Sequence, residues 1–372
     1  MKILHIAAFE GNIGDNASHL GFQEILNQIQ VNSDVDRLEI RKAYNNYIGE
    51  DKIIFNEDFV ALANTYDLVI FGGGGFLDYW VDNSVNGTTI NITNDLLDTI
   101  RCPILITSIG CNPHRKVPEG NHAKFKAFLD YVQTNPNITI ALRNDGSVNS
   151  IAHDFGQEYL SDIHEILDHG FFYTPSNAVT LPLDESYAVI NITNDQLEMK
   201  DVISDDPSWY HAELKSIVDT VINKGLKAVF VPHIHQDITA ISQFLDYLPS
   251  STVRSSTMVA PCFQGDAATD FIFNLYKNAD VVIASRYHSN VCSLKFGVKT
   301  IGLSPLHRIE YIHQQLVSSE NGSSFYIEKN VANKVNHLIT NLDTISINHK
   351  KLNMLKEATI QFYASYFANL ED

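Results

Sequence analysis

Short apolar runs recur along this chain, and most are followed by a longer segment whose apolar residues return every three or four positions. That alternation is the pattern of βα units built on a mostly parallel sheet. In the first half the predicted strands are 2–8, 36–40, 68–71, 104–109 and 138–142. Helices are expected between them at 15–28, where Ala17, Leu20, Phe22, Ile25 and Leu26 share one broad face, and at 123–132 and 146–154. Around 162–177 the pattern weakens, and Leu181-Pro-Leu-Asp-Glu-Ser reads as a linker. A second series then begins, with strands at 187–192, 228–231, 281–284 and 300–303 and a weaker one near 252–259. Its helices are expected at 208–223, 237–245, 267–278 and 291–296, and 352–370 reads as a long amphipathic terminal helix.

At roughly 150 residues per domain, 372 residues suggest two domains. The expected fold class is therefore α/β, with two Rossmann-like, doubly wound domains facing a cleft in the GT-B-like manner of two-domain glycosyltransferases. The expected boundaries are 1–175 for the first domain, 184–345 for the second, and 346–372 for a terminal helix that crosses back to the first. No period of 20 to 50 residues repeats, which sets solenoids aside.

Charge narrows the function. Lys and Arg total 26 against 44 Asp and Glu, a formal charge of −18, which disfavours nucleic acid and anionic membrane surfaces as partners. No transmembrane segment is expected, and the N-terminal apolar run stops at Glu10, too early for a secretion signal. The expected location is cytoplasmic, with the four cysteines as reduced thiols and no sugar on the sequons at Asn86, Asn91 and Asn321. A homo-oligomer is possible on these grounds.

Ligands of open parallel sheets bind beyond the carboxyl ends of the strands, so the residues there carry the functional reading. The first strand runs into Gly11-Asn12-Ile13-Gly14-Asp15, where Asp15 is a candidate base or the N-cap of the next helix. The third runs into Gly72-Gly73-Gly74-Gly75-Phe76-Leu77-Asp78. Four consecutive glycines cost backbone entropy, and they mark either a close approach of backbone or a nest of amides for a ligand, with Gly73 and Gly74 at its centre. Asp78 follows as a second candidate acid or base.

Only eight residues are Arg, and three of them, Arg143, Arg286 and Arg308, follow predicted strands. Arg suits fixed contacts with carboxylate or phosphate, and the helical segment after Arg286 adds its amide N–H groups and positive end. Ser285-Arg286-Tyr287-His288-Ser289 is thus a candidate anion site. His233-Ile-His235-Gln-Asp237 could be a metal site, but it lacks a closed ligand set, so no metal is expected there and a polar loop is favoured. No GxSxG elbow is present to support a hydrolase.

These residues together resemble the polysaccharide pyruvyl transferase family. The likeness lies in Gly11–Asp15, the run 67–78, Thr107-Ser-Ile-Gly110, Arg143 with Ser147, and 285–289 leading to Phe296-Gly-Val, and it covers roughly 1–315. It implies a transferase that takes the pyruvyl group of phosphoenolpyruvate and places it as a ketal on two hydroxyls of a sugar in a cell-surface polysaccharide or its precursor. The partners implied are phosphoenolpyruvate and a sugar or lipid-linked glycan acceptor, with no cofactor.

By the same resemblance, Arg286 and His288 hold the donor on the second domain, with Arg143 contributing from the first, the acceptor side; Ser289, next in the motif, is a further candidate substrate-binding residue. Arg308 stands where the family usually has Lys, and Pro305 where Tyr is more usual. His288 is the expected acid or phosphate contact, and Asp15 or Asp78 the base. Two other readings share these residues: a nucleotide-sugar-dependent glycosyltransferase of the same form, and a non-catalytic glycan-binding homologue.

Overall fold

The computed structural model describes residues 1–176, 183, 185–198, 207–320 and 322–371. The apolar runs of the first half become six strands: β1 (Lys2–Ala7), β2 (Asp34–Glu39), β3 (Leu68–Gly74), β4 (Ile104–Ile109), β5 (Ile138–Arg143) and β6 (Ile163–Ile166). They form one parallel sheet in the order β2-β1-β3-β4-β5-β6. Successive side chains point to opposite faces, so a strand covered on both sides reads as an unbroken apolar run. All six residues of β4 are buried accordingly. One face gathers Leu4, Ile6, Val69, Phe71, Ile104, Ile106, Ile140 and Leu142 into a single apolar cluster.

The second half repeats the scheme with β7 (Tyr187–Asn191), β8 (Lys227–Phe230), β9 (Thr257–Val259), β10 (Val281–Ala284) and β11 (Thr300–Ser304). A short β12 (Val317–Ser318) pairs antiparallel with β14 (Ser346–Ile347), and β13 (Ser324–Tyr326) closes the main sheet. The main sheet is parallel, in the order β13-β11-β10-β7-β8-β9. Its two faces own separate cores: Ala188, Ile190, Phe230, Ile283 and Leu303 on one, Val189, Val229, Val231, Val282 and Ala284 on the other. The second core also takes Ile13 and Ala17 from the helix Ile13–Gln28.

Each sheet therefore has a point where strand order reverses, between β1 and β3 in the first and between β7 and β10 in the second. A crevice opens beyond the strand ends at such a point, and it is the usual ligand position of this architecture.

The chain divides into two compact units. The first holds Met1–Glu10, Phe22–His169 and the segment from Leu355 on; the second holds Gly11–Gly21 and the described residues of Gly170–Met354. The loop with Asn12 and Asp15 thus packs with the second unit. In the first unit the terminal helix is tied down by Tyr363, whose hydroxyl meets Thr107 and His169, and by Thr359, whose hydroxyl accepts from the Leu167 amide at 3.0 Å.

Local features differ from expectation. Ser250–Ser256 is helical, and only Thr257–Val259 remains as the edge strand β9. The edge strands β6 and β13 are short and partly polar, so they carry no clear apolar run. Much of the linker read at 181–186 lies outside the described residues, as does Asn321. Among the described residues, no helix is long and apolar enough to cross a membrane, and all four cysteines are free.

Candidate active site

In the second unit the reversal between β7 and β10 is tied together by Asn191, the last residue of β7. Its side-chain oxygen accepts from the Arg286 amide at 2.8 Å and from the Ser289 hydroxyl at 3.2 Å, and its nitrogen donates to the Val231 carbonyl at 2.9 Å. Asn290 adds a second brace by donating to the carbonyls of Ala284 and Arg286. Asn290 is itself held at 2.9 Å by His313, whose other nitrogen meets Ser323 at 2.8 Å. Burial pushes His313 down to about 3, so the ring is neutral near pH 7.

On this frame Arg286 is the N-cap of the helix Tyr287–Phe296, and its own side chain makes no capping hydrogen bond. Its leading N–H groups and positive end form an anion-favouring position. The Arg286 guanidinium is buried and forked between two carboxylates. It donates through Nε and Nη2 to Asp237 and through Nη1 and Nη2 to Asp195, the latter at 3.3 and 2.7 Å. Burial opposes the charge on Arg286, but Asp237 and Asp195 outweigh it and raise its pKa. Asp237 also accepts from the backbone amides of His233 at 2.9 Å and Ile234 at 3.3 Å, which fixes the start of the helix His235–Tyr247.

His288 lies in the first turn after Arg286, with Nδ1 3.5 Å from Asp15 Oδ1. Asp15 is placed by the loop 11–14. The Asn12 side chain accepts from the Gly14 amide at 3.0 Å, so Asn12 takes the capping role and Asp15 sits in the helix's first turn. Gly14 is required by close packing, because a Cβ there would stand 2.8 Å from His288 Cβ. Ser289 is fully buried and joins Asn191, His233 and Tyr276 in one hydrogen-bonded network. His233 Nε2 lies 3.0 Å from Ser289 and 2.8 Å from Tyr276, and burial with the nearby charges of Arg286 and His288 lowers its pKa strongly. Among the described residues no group of three or more His, Cys, Asp or Glu side chains gathers to hold a metal. Arg308 follows β11 as the second residue of the helix His307–Leu316 and is half-buried.

In the first unit the four glycines have separate reasons. A Cβ at Gly72 would stand 3.0 Å from the Thr107 carbonyl of β4, and one at Gly75 would stand 2.9 Å from Asp78 Oδ2. Gly73 and Gly74 have φ of 76° and 92°, a region that strongly favours glycine. The turn they make brings Asp78, 1% exposed, under the end of β4. There it accepts from the Asn112 amide at 2.7 Å and meets His114 Nδ1 at 3.2 Å.

His114 also lies edge-on to Trp80, with ring centroids 5.7 Å apart, and the Arg115 guanidinium stacks on that indole at 4.4 Å. Asn112 links this group to Arg143 by donating to the Asp145 carbonyl at 3.2 Å. Arg143 is buried, with Nε 2.7 Å from Asp145 and Nη1 3.6 Å from Asp168. Asp145 in turn holds Ser147, whose hydroxyl accepts from the Cys111 amide at 2.7 Å.

The structure thus brings Arg286, His288, Ser289 and Asp15 together in the second unit, and Asp78, Gly73, Gly74 and Arg143 to strand ends of the first. Sequence reasoning missed Asn191, Asp195 and His114, although Asn191 ends β7, the other two follow strands, and the same strand-end rule reaches all three. Asp237 was read as part of a polar loop, with a metal site the lesser alternative, whereas its side chain is the buried partner of Arg286.

Several solved structures share the fold. The UDP-GlcNAc 2-epimerase of Methanocaldococcus jannaschii is 12% identical with a TM-score of 0.51, covering 91% of this chain and 92% of that one. A glycosyltransferase from Rickettsia africae ESF-5 is 11% identical with a TM-score of 0.54, covering 97% and 92%. S. aureus MnaA in its UDP complex is 11% identical with a TM-score of 0.53, covering 95% and 90%. At such identities the likeness establishes the two-unit, Rossmann-like GT-B fold and nothing finer. No curated protein sequence matches the chain significantly. A family model described as polysaccharide pyruvyl transferase matches residues 12–307, a stretch that holds Asp15, Asp78, Arg143, Arg286 and His288, and the chain belongs to the polysaccharide pyruvyl transferase family.

Proposed function

We propose that this protein moves the pyruvyl group of phosphoenolpyruvate onto a sugar of a cell-surface polysaccharide or its precursor, forming a pyruvate ketal. The observation that carries the reading is the position of Arg286 and His288. Both stand at the head of one helix, at the strand-order reversal of the second unit, with Asp15 against the His288 ring. Phosphoenolpyruvate offers a carboxylate and a phosphate, and charge-assisted hydrogen bonds to such groups contribute roughly 1.5–3 kcal/mol each.

In this reading Arg286 and the leading amides of the helix bind the donor anion, and Arg308 extends the positive field from the next strand. His288 delivers a proton to the methylene carbon, which becomes the methyl group. One acceptor hydroxyl then attacks the cationic carbon, and the second displaces phosphate. Of the two hydroxyl protons, one replaces the proton spent on carbon and the other leaves with phosphate, so the step balances. Asp15 holds His288 in register and is the candidate base on this unit. Asp78 with His114 is the candidate hydroxyl-binding pair on the first unit, beside the face of Trp80. Phosphoenolpyruvate is an intracellular metabolite, which supports a cytoplasmic site of action.

The test is thermal stabilisation by phosphoenolpyruvate against a panel of nucleotide sugars. Stabilisation by phosphoenolpyruvate, lost in Arg286→Ala, supports the reading. Stabilisation by nucleotide sugars alone points to the glycosyltransferase alternative and overturns it.

A further inference from the structure

The Arg286 guanidinium already carries two carboxylates, and that arrangement is incompatible with simply adding a donor. One positive charge faces two negative ones, so a phosphate or carboxylate arriving beside them meets net repulsion in a site where Arg286 is only 8% exposed. One carboxylate has to give way. The two are held very differently. Asp237 is fully buried and accepts from two backbone amides as well as from Arg286. The Asp195 side chain is 25% exposed, begins a four-residue helix, and among the described residues has the Thr193 hydroxyl as its other partner.

We propose that Asp195 is a displaceable stand-in for the donor's anionic group: its carboxylate occupies the outer face of Arg286 when the site is empty, and the incoming anion takes its place. Asp237 stays and keeps the guanidinium aimed. This rests on the reading that Arg286 holds the donor. The device has two consequences. It removes the cost of leaving a buried guanidinium half-satisfied between turnovers, and it sets a threshold that weak or singly charged anions fail to cross, because they gain less than Asp195 gives up.

The experiment measures binding of phosphoenolpyruvate and, separately, of inorganic phosphate to the full chain, in wild type, Asp195→Asn and Asp195→Ala, with Arg286→Ala as the control. Circular dichroism and melting temperature confirm that the variants fold. Both Asp195 variants are expected to bind phosphoenolpyruvate about tenfold more tightly, equivalent to about 1.4 kcal/mol. Inorganic phosphate should gain in the same direction, both gains should vanish in Arg286→Ala, and the donor KM should fall without a rise in kcat. If phosphate binding tightens but no form binds phosphoenolpyruvate, the displaceable carboxylate stands and the identity of the donor falls. If neither ligand binds more tightly once Asp195 is neutralised, the proposal is overturned.

Discussion

The His288 ring stands 3.5 Å from the Asp15 carboxylate, and the two belong to one compact unit although they come from opposite ends of the family-matched region. The pairing depends on Gly14. A Cβ there would also lie 3.1 Å from Nδ1 of both His233 and His288. Gly14→Ala is therefore expected to shift the His288 ring and lower kcat at least about tenfold, since sub-ångström errors at a reacting group are costly. Gly11 gives the contrast. Its φ is +75° with nothing within 4 Å of an added Cβ, so Gly11→Ala should cost about 1 kcal/mol of stability and leave His288 in place. Steady-state kinetics with urea melts on both variants checks this, and equal kinetic losses would refute it.

Removing one partner of a buried ion pair strands the other charge. Asp237→Ala leaves Arg286 with the more exposed Asp195 alone, and a loss of about 3–5 kcal/mol is expected. Asp195→Ala should cost less than about 1 kcal/mol, as partly exposed pairs do. Urea denaturation of the two variants reads the difference directly, and similar losses would show that the two carboxylates are held alike.

Two buried histidines contribute to the loss of stability in acid. His313 is pushed down to about 3 by burial, and His233 is strongly lowered by burial and by the charges of Arg286 and His288. Their ordinary pKa in the unfolded chain is about 6.5. Between about pH 3 and 6.5 the unfolded chain therefore binds more protons than the folded one, and stability falls as pH drops through that window. His313→Gln keeps polar atoms for Asn290 and Ser323 but cannot titrate. Urea midpoints measured from pH 7 to pH 4 should decline less steeply in this variant than in wild type; parallel curves would contradict the account.

On the first unit, Asp78 and His114 predict a different signature. Asp78→Asn and His114→Ala should lower turnover about 100-fold, while phosphoenolpyruvate binding, measured by titration without acceptor, stays unchanged. Weakened donor binding in either variant would assign them to the donor instead.

The formal charge of −18 makes the net field of the protein negative. Apparent affinity for phosphoenolpyruvate should depend weakly on ionic strength or improve modestly as salt screens the repulsion. Titration between low and moderate salt reads this, and a steep loss would show a positive field at the site.

Much of this arrangement was legible in the sequence because strands buried on both faces are unbroken apolar runs. β4 and β10 appear with their observed limits, and the strand-end rule led straight to Arg286 and His288. The edge strands β6 and β13 escaped for the same reason in reverse. β6 carries His164 and Glu165, because one side of it is open. The glycine run was legible as a special backbone, but its cause was not. Gly72 answers to the carbonyl of Thr107 and Gly75 to the carboxylate of Asp78, contacts set by strand order and by a turn. Arg286 was recognisable as an anion-site residue, whereas its partners Asp195 and Asp237 follow two other strands, β7 and β8, and meet it only when the sheet closes.

The central claim is transfer of a pyruvyl group from phosphoenolpyruvate, and the most direct measurement uses donor labelled with carbon-13 at the central carbon together with extracted glycan acceptors. The account predicts a labelled ketal carbon on the glycan, with phosphate released in equal amount, in wild type and not in His288→Ala or Arg286→Ala. Glycan that gains a sugar from a nucleotide donor, while the labelled phosphoenolpyruvate is left unconsumed, would contradict it.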